Sequence, residues 1–216
     1  MRDESSIRRR ARETWLTPEA CDLEGFKRHV DRETLPADVP LAARILNNAP
    51  VYEGSDIREA ASRPQARREL MAEWAHVMLN GAGIIVLSGA FADPAPVHAV
   101  TRVFFDIIAE QRASGAAAGD HFAKPGANDR VWNALEKVAL RDAPAFVNYY
   151  SNDAVAMACE AWLGTGYQIT SQVNCVNPGG AAQSAHRDYH MGFQSAEEIE
   201  RFPSHAHRLS PMLTLQ

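Results

Sequence analysis

An alternating run, Tyr167-Gln-Ile-Thr-Ser-Gln-Val-Asn-Cys-Val176, leads into the tetrapeptide Asn177-Pro-Gly-Gly180 and then into His186-Arg-Asp188-Tyr-His190. No other stretch constrains the chain as much. Side chains on a strand alternate between faces, so the run predicts a strand with Thr170, Gln172 and Asn174 on one face and Ile169, Ser171, Val173 and Cys175 on the other. Proline lacks the N–H a ladder needs, and asparagine and glycine tolerate positive φ, so the chain is expected to turn at 177–180. A second strand should then carry His186 and Asp188. Two residues apart, they turn an imidazole and a carboxylate to one side while Arg187 points away. Such a pair forms two-thirds of the facial triad that holds non-haem Fe(II) and leaves coordination positions open.

The same geometry argues against His190 as a third ligand beside these two. Positions four apart on a strand are ~13 Å apart, too far for donor atoms that must each lie ~2 Å from one ion. His190 is therefore expected beside the metal ligands or against substrate. The remaining candidates are His205 and His207, which as His-x-His on an extended segment would face one way. Pro203 and Ser204 beside them point instead to a loop with solvated histidines.

The residues Gln172-Val-Asn174, Asn177-Pro-Gly-Gly180 and His186-Arg-Asp188-Tyr-His190-Met-Gly-Phe193 resemble the metal-binding segment of the phytanoyl-CoA dioxygenase family, Fe(II)- and 2-oxoglutarate-dependent oxygenases. The similarity extends upstream to about Leu70. The resemblance implies a mainly β fold with α, a double-stranded β-helix (jelly roll, cupin-like) with an N-terminal helical layer. It implies hydroxylation of a small organic substrate, with His186 and Asp188 on Fe(II), 2-oxoglutarate as cosubstrate and O2 as oxidant. Because Asp188 supplies a carboxylate where related halogenases leave room for chloride, hydroxylation is expected rather than halogenation. Gln172 and Asn174 then either hydrogen-bond the cosubstrate or brace neighbouring strands. The family's distal histidine and its 2-oxoglutarate-binding arginine have no evident counterpart in this chain.

Upstream, residues 1–66 read as an N-terminal helical extension and residues 67–216 as the oxygenase domain. Helical pieces are expected at 7–15 and 19–29. Leu70, Trp74, Val77 and Met78 share a helical face that ends at Asn80-Gly81, and 84–87 reads as a short buried strand. Asp93-Pro94 starts a helix with a stripe of Val97, Val100, Phe104, Ile107 and Ile108, with His98 at its edge. Residues 113–129 read as a loop, in which His121 and Lys124 belong to a lid or to a solvated connection. Residues 131–138 fit strand and helix equally. Asn152 caps a helix with the face Val155, Cys159 and Trp162, ended by Gly164.

Composition excludes several classes. With a net charge of -5 and no basic stripe, the 216-residue chain offers no nucleic-acid surface. It has no membrane-length apolar run and no signal-peptide core, so a cytoplasmic protein is expected. Cys21, Cys159 and Cys175 lack zinc-site spacing. An eight-stranded barrel needs ~80 to 100 residues, and about 50 run from Tyr167 to Gln216, so the barrel is expected to lack its second half. An open edge of that kind calls for a homo-oligomer or a partner that completes the barrel, and the chain by itself is not expected to couple oxygen consumption to 2-oxoglutarate decarboxylation. The alternative to an enzyme is an incomplete jelly-roll scaffold that acts in binding or assembly.

The strand geometry predicts that His186→Ala and Asp188→Ala each abolish tight Fe(II) binding while His190→Ala keeps most of it. Metal titration of the three variants checks this, and equal loss in all three would overturn the separate role of His190.

Overall fold

The computed structural model describes residues 4–15, 22–115 and 126–180, with Glu197 and Arg201. The chain divides into two units, one combining Met1–Thr34 with Ala185–Gln216 and one spanning Leu35–Ser184. In the first, α1 (Glu4–Thr14) and α2 (Leu23–Val30) are the described helices. The second carries the core. Its elements are β1 (Arg44–Leu46), β2 (Ala49–Glu53), α3 (Gly54–Ala61), α4 (Pro64–Asn80), β3 (Val86–Ser88), α5 (Ala95–Ala113), β4 (Asn128–Val131), α6 (Ala134–Arg141), α7 (Ala143–Tyr150), α8 (Asp153–Leu163) and β5 (Val173–Val176).

Around α4 one core forms. Pro64 opens this helix in its first turn, where a missing N–H costs nothing, and the Gly81 and Gly83 N–H groups close it on the carbonyls of His76 and Val77. Leu70, Trp74 and Val77 are buried as the periodicity requires, and Met78 lies at the margin of that face. Trp74 meets Tyr52 edge-on at 5.6 Å. The Tyr52 hydroxyl donates to Glu73 Oε1 at 2.8 Å, and the Leu41 N–H donates to Oε2 at 3.1 Å, so one carboxylate ties the helix to β2 and to the chain before β1. Burial first, and the Glu73 hydrogen bond second, push the Tyr52 phenol far above its ordinary range. Helix α8 packs on α4, with an Arg67–Glu160 ion pair at 2.5 Å between them.

A sheet of order β1-β2-β3 joins an antiparallel pair to a parallel one. The helix after β2 starts at a position that only glycine fits, because a Cβ on Gly54 would stand 1.9 Å from the Gly89 carbonyl oxygen. Strand β3 is shorter and more open than the buried strand expected at 84–87, with Ile84 and Val86 exposed. It is an edge strand, and so is covered along one side only.

Further along, Asp93 Oδ1 accepts the Ala95 N–H at 2.9 Å and starts α5 as the sequence predicts. Val100, Ile107 and Ile108 are its buried positions, and His98 is exposed. The segment 131–138, which fitted strand and helix alike, is both: β4 ends at Val131, Asn133 adopts φ 51° in the left-handed region, and α6 begins at Ala134. Asn152 caps α8 by accepting the Val155 N–H at 3.1 Å. The buried face of α8 is rotated from the predicted one and centres on Ala154, Met157, Ala158 and Cys159, because α3 and α4 approach it from that side.

The described residues are a mixture of helix and small sheets, and among them no barrel closes. The physical reason is that residues 35–166 bury their apolar stripes helix against helix. The residues after Gly180, where further barrel strands are expected, lie outside the described set apart from Glu197 and Arg201, as do His121 and Lys124. Among the described residues no helix is long and apolar enough to cross a membrane.

Trp74 is fully buried whereas Leu140 is 80% exposed. Trp74→Ala should therefore lower unfolding free energy by about 3–5 kcal/mol and Leu140→Ala by no more than about 0.5 kcal/mol. Urea unfolding of the two variants measures both values.

Candidate functional site: the two faces of the β4–β5 ladder

Strand β5 runs antiparallel to β4 with Asn128 opposite Val176, Asp129 opposite Cys175, Arg130 opposite Asn174 and Val131 opposite Val173. Directly opposed residues share a face. The ladder thus sorts into an inner face of Asp129, Val131, Val173 and Cys175 and an outer face of Asn128, Arg130, Asn174 and Val176. Burial agrees on β5, where Val173 and Cys175 are half-buried while Asn174 and Val176 are exposed. The strand is shorter than the run 167–176 predicts. Its partner β4 has four residues, so no ladder is available to the residues before Val173. They are held differently: the Ser171 carbonyl accepts the Ala134 N–H at 3.0 Å, and its hydroxyl oxygen accepts from the Tyr150 hydroxyl at 3.0 Å. Burial raises the Tyr150 phenol, and the bond to Ser171 partly offsets the rise.

On the inner face, Val131 packs with Ile107, Ile108 and Ala134, and with the partly buried Val103, Phe104 and Val173. Beside this apolar cluster lies Asp129, a carboxylate only 7% exposed. Such a charge is tolerated only when paired and hydrogen-bonded. Arg112, near the end of α5, donates Nε to Oδ1 at 2.9 Å and Nη2 to Oδ2, and Asn177 Nδ2 donates to Oδ2 at 2.8 Å. The Arg112 hydrogen bond is the leading cause that holds the Asp129 carboxyl below its usual range, against the opposing effect of burial. Asn177 also donates Nδ2 to the Gly126 carbonyl at 3.2 Å and its backbone N–H to the Ala127 carbonyl at 3.0 Å.

The turn predicted at 177–180 is therefore present and clamped to the start of β4. The Gly180 N–H bonds the Asn177 carbonyl at 2.8 Å, and a Cβ on Gly180 would meet the Ala127 oxygen at 2.7 Å. A depression of about 550 Å³ lies here, lined by Arg112, Gly115, Gly126, Asp129, Asn177 and Pro178. Its one acid and one base neutralise each other.

The outer face differs. Gln172, just before β5, and Asn174 on it are both exposed, on one side as the alternation predicts. Among the described residues neither amide makes a side-chain hydrogen bond, so neither braces a neighbouring strand there. Arg130, half-buried and directly across from Asn174, lies with its guanidinium carbon 5.6 Å from the centre of the Trp132 ring. Asn128 Oδ1 is buried without a hydrogen-bond partner among the described residues.

Arg130, Asn128 and Trp132 escape sequence reasoning. The run Asn128-Asp-Arg-Val-Trp132 does alternate, but the charged Asp129 occupies the buried side and disguises the period. The predicted metal ligands His186 and Asp188, with His190, His205 and His207, lie outside the described residues. Among the described residues no three His, Cys, Asp or Glu side chains are grouped to hold a metal ion.

The sequence model of the phytanoyl-CoA dioxygenase (PhyH) family matches residues 79–212, which includes α5, both strands of this ladder and the His-x-Asp segment. Neither a curated protein nor a solved structure matches the chain.

Removing Arg112 leaves a buried carboxylate with Asn177 alone, whereas neutralising Asp129 leaves a half-exposed guanidinium that water can reach. Arg112→Ala should therefore lower the urea midpoint more than Asp129→Asn does. Because the folded-state pKa of Asp129 is depressed, its contribution is present above the unfolded carboxylate pKa and fades as pH falls through the folded value. Urea midpoints across the acid range check both points: wild type should lose this contribution at low pH, and Arg112→Ala should lose less of it.

Proposed function

Since the chain belongs to the phytanoyl-CoA dioxygenase family, an oxygenase family whose model spans more than half of its length, we propose that it is a non-haem Fe(II)- and 2-oxoglutarate-dependent dioxygenase that hydroxylates a small organic substrate. In this reading His186 and Asp188 hold the iron, and the amides of Gln172 and Asn174 hydrogen-bond the cosubstrate.

One observation supports the ligand-facing role most directly: Gln172 and Asn174 share an exposed side of the ladder and keep their hydrogen-bonding capacity open among the described residues. An amide pair that braced the fold would be bonded to it. The donor chemistry also fits the cofactors. An imidazole and a carboxylate suit Fe(II), while amide N–H groups and a nearby guanidinium suit a dicarboxylate. When bound, the iron and 2-oxoglutarate would activate O2, the oxidant, with 2-oxoglutarate giving up two electrons as it decarboxylates to succinate and the substrate carbon giving up the other two. Residues of the chain then orient the acid and fix where the substrate lies. Asp188 bears on the outcome, since a carboxylate at that position leaves no vacancy for a halide.

The clamp on the inner face bears on this role. Asn177, Asp129 and Arg112 hold the turn that follows β5, so the backbone that carries Asn174 and leads toward His186 is fixed from behind the outer face.

Gln172→Ala and Asn174→Ala should each weaken 2-oxoglutarate by about 5- to 150-fold, the equivalent of ~1–3 kcal/mol for a hydrogen bond to a charged group, and leave Fe(II) affinity nearly unchanged. The measurement is an anaerobic absorbance titration of the Fe(II)-loaded protein with 2-oxoglutarate. If the wild-type chain shows no cosubstrate-dependent band, the oxygenase reading is wrong. Unchanged cosubstrate affinity in both variants would make the amides structural.

A further inference from the structure

Helix α2 carries an apolar stripe and buries none of it. Leu23, Phe26 and Val30 are spaced three and four apart, so they fall on one side of the helix, and they are 63%, 62% and 55% exposed. No residue of α2 is buried, and none of the described side chains of α1 is buried either. A helix of eight residues is marginal in water by itself, because most helical stability in proteins comes from packing an apolar face. Three large apolar side chains standing together on so short a helix therefore call for a cover.

The charges around the stripe decide which cover fits. From Asp22 to Asp31 three acids stand against two bases, Lys27 and Arg28. A surface of anionic lipid or of nucleic-acid phosphate attracts a helix with a net positive charge, and this one has none to offer. The signs are instead ordered along the helix, with Asp22 and Glu24 first and Lys27, Arg28 and His29 last. At about 100° per residue, Lys27 and Glu24 form the rim on one side of the stripe, and His29 and Asp22 form the rim on the other.

Polarity of this kind matches its own reverse. When two copies of α2 pack antiparallel with Phe26 on the two-fold axis, Leu23 of each lies within one residue's rise, ~1.5 Å along the helix, of Val30 of the other. Glu24 lies within the same rise of Lys27 across one rim, and Asp22 within it of His29 across the other. Apolar residues then meet apolar residues and acids meet donors on both sides, which is the self-complementarity that a two-fold interface requires. The pairs already present do not oppose this. Lys27 Nζ donates to Glu24 Oε1 at 2.7 Å and Arg28 Nη2 to Asp22 Oδ2 at 3.4 Å, but all four side chains are largely exposed, and pairs of that kind contribute little and exchange readily.

We propose that the Leu23, Phe26 and Val30 face of α2 is a self-association surface, covered by the same face of a second copy of this chain in an antiparallel pair. The helix is only ~12 Å long, which places the pair among the small, reversible interfaces of under about 1,200 Å². No strand takes part in it, and it is independent of the oxygenase reading.

The test is sedimentation equilibrium of the full chain from about 10 μM to 1 mM. A reversible monomer–dimer equilibrium is expected, and Phe26→Ser should weaken it at least tenfold. Glu24→Lys makes the first rim wholly basic and Lys27→Glu makes it wholly acidic, so each variant alone should associate more weakly than wild type. An equimolar mixture of the two should associate more strongly than either alone, which loss of the Glu24–Lys27 pair within one helix cannot produce.

A chain that stays monomeric throughout overturns the proposal, as does a dimer that Phe26→Ser leaves unchanged or a mixture no stronger than its components. Should circular dichroism show Phe26→Ser to be unfolded, the mixture decides. A monomeric chain that floats with vesicles of phosphatidylcholine and phosphatidylserine would overturn the second copy as the cover and assign the stripe to lipid.

Discussion

Asp129 is the point on which the described part of the site depends. A carboxylate buried beside Val131, Ile107 and Ile108 is stable only because Arg112 and Asn177 satisfy it. Those two partners come from opposite ends of the arrangement, one from the last turns of α5 and one from the turn after β5. Satisfying a single charge therefore joins a helix, the first strand and the exit of the second. An apolar side chain at this position could fill the same space, but it would not select Asn177 as its neighbour. The directionality of hydrogen bonds gives the carboxylate that specificity.

Behind that clamp the ladder has two chemical characters. The inner face is apolar except for a neutralised ion pair, and it is packed on α5. The outer face is a row of amides and one guanidinium held on an indole. Rigidity on the inner face and open amides at Gln172 and Asn174 on the outer face suit the proposed role of this face as a ligand wall, since polar groups held by the scaffold lose little entropy when a ligand arrives. The Tyr150–Ser171 hydrogen bond extends this rigidity two residues past the ladder, to the residue before Gln172. Membership of the phytanoyl-CoA dioxygenase family gives this wall its context, because the matched region runs from the end of α4 through the ladder and across the His-x-Asp segment.

Much of the architecture was legible from local rules. Gly81 ends α4, Asp93 and Asn152 cap α5 and α8, and 177–180 turns, because each rests on the intrinsic φ preference or hydrogen-bonding capacity of one or two residues. Errors arose where a neighbour decided. The buried face of α8 rotated toward Met157 because α3 and α4 lie there, and the predicted strand at 167–176 contracted to Val173–Val176 because β4 offers four residues to pair with. Register and coverage are properties of the partner, and no single segment encodes them.

By itself the sequence determined the alternation that sets Gln172 and Asn174 on one side and the turn that follows them. It also determined, through the His186-Arg-Asp188 segment, the resemblance to an oxygenase family that the family match confirmed. Only the tertiary structure decided that Asp129 is a core residue and that Arg130 stands across from Asn174. Those facts depend on which strand meets which and in what register. A carboxylate becomes a buried anchor only when a distant arginine and asparagine arrive to satisfy it, and residues 17 and 48 positions away supply that satisfaction here.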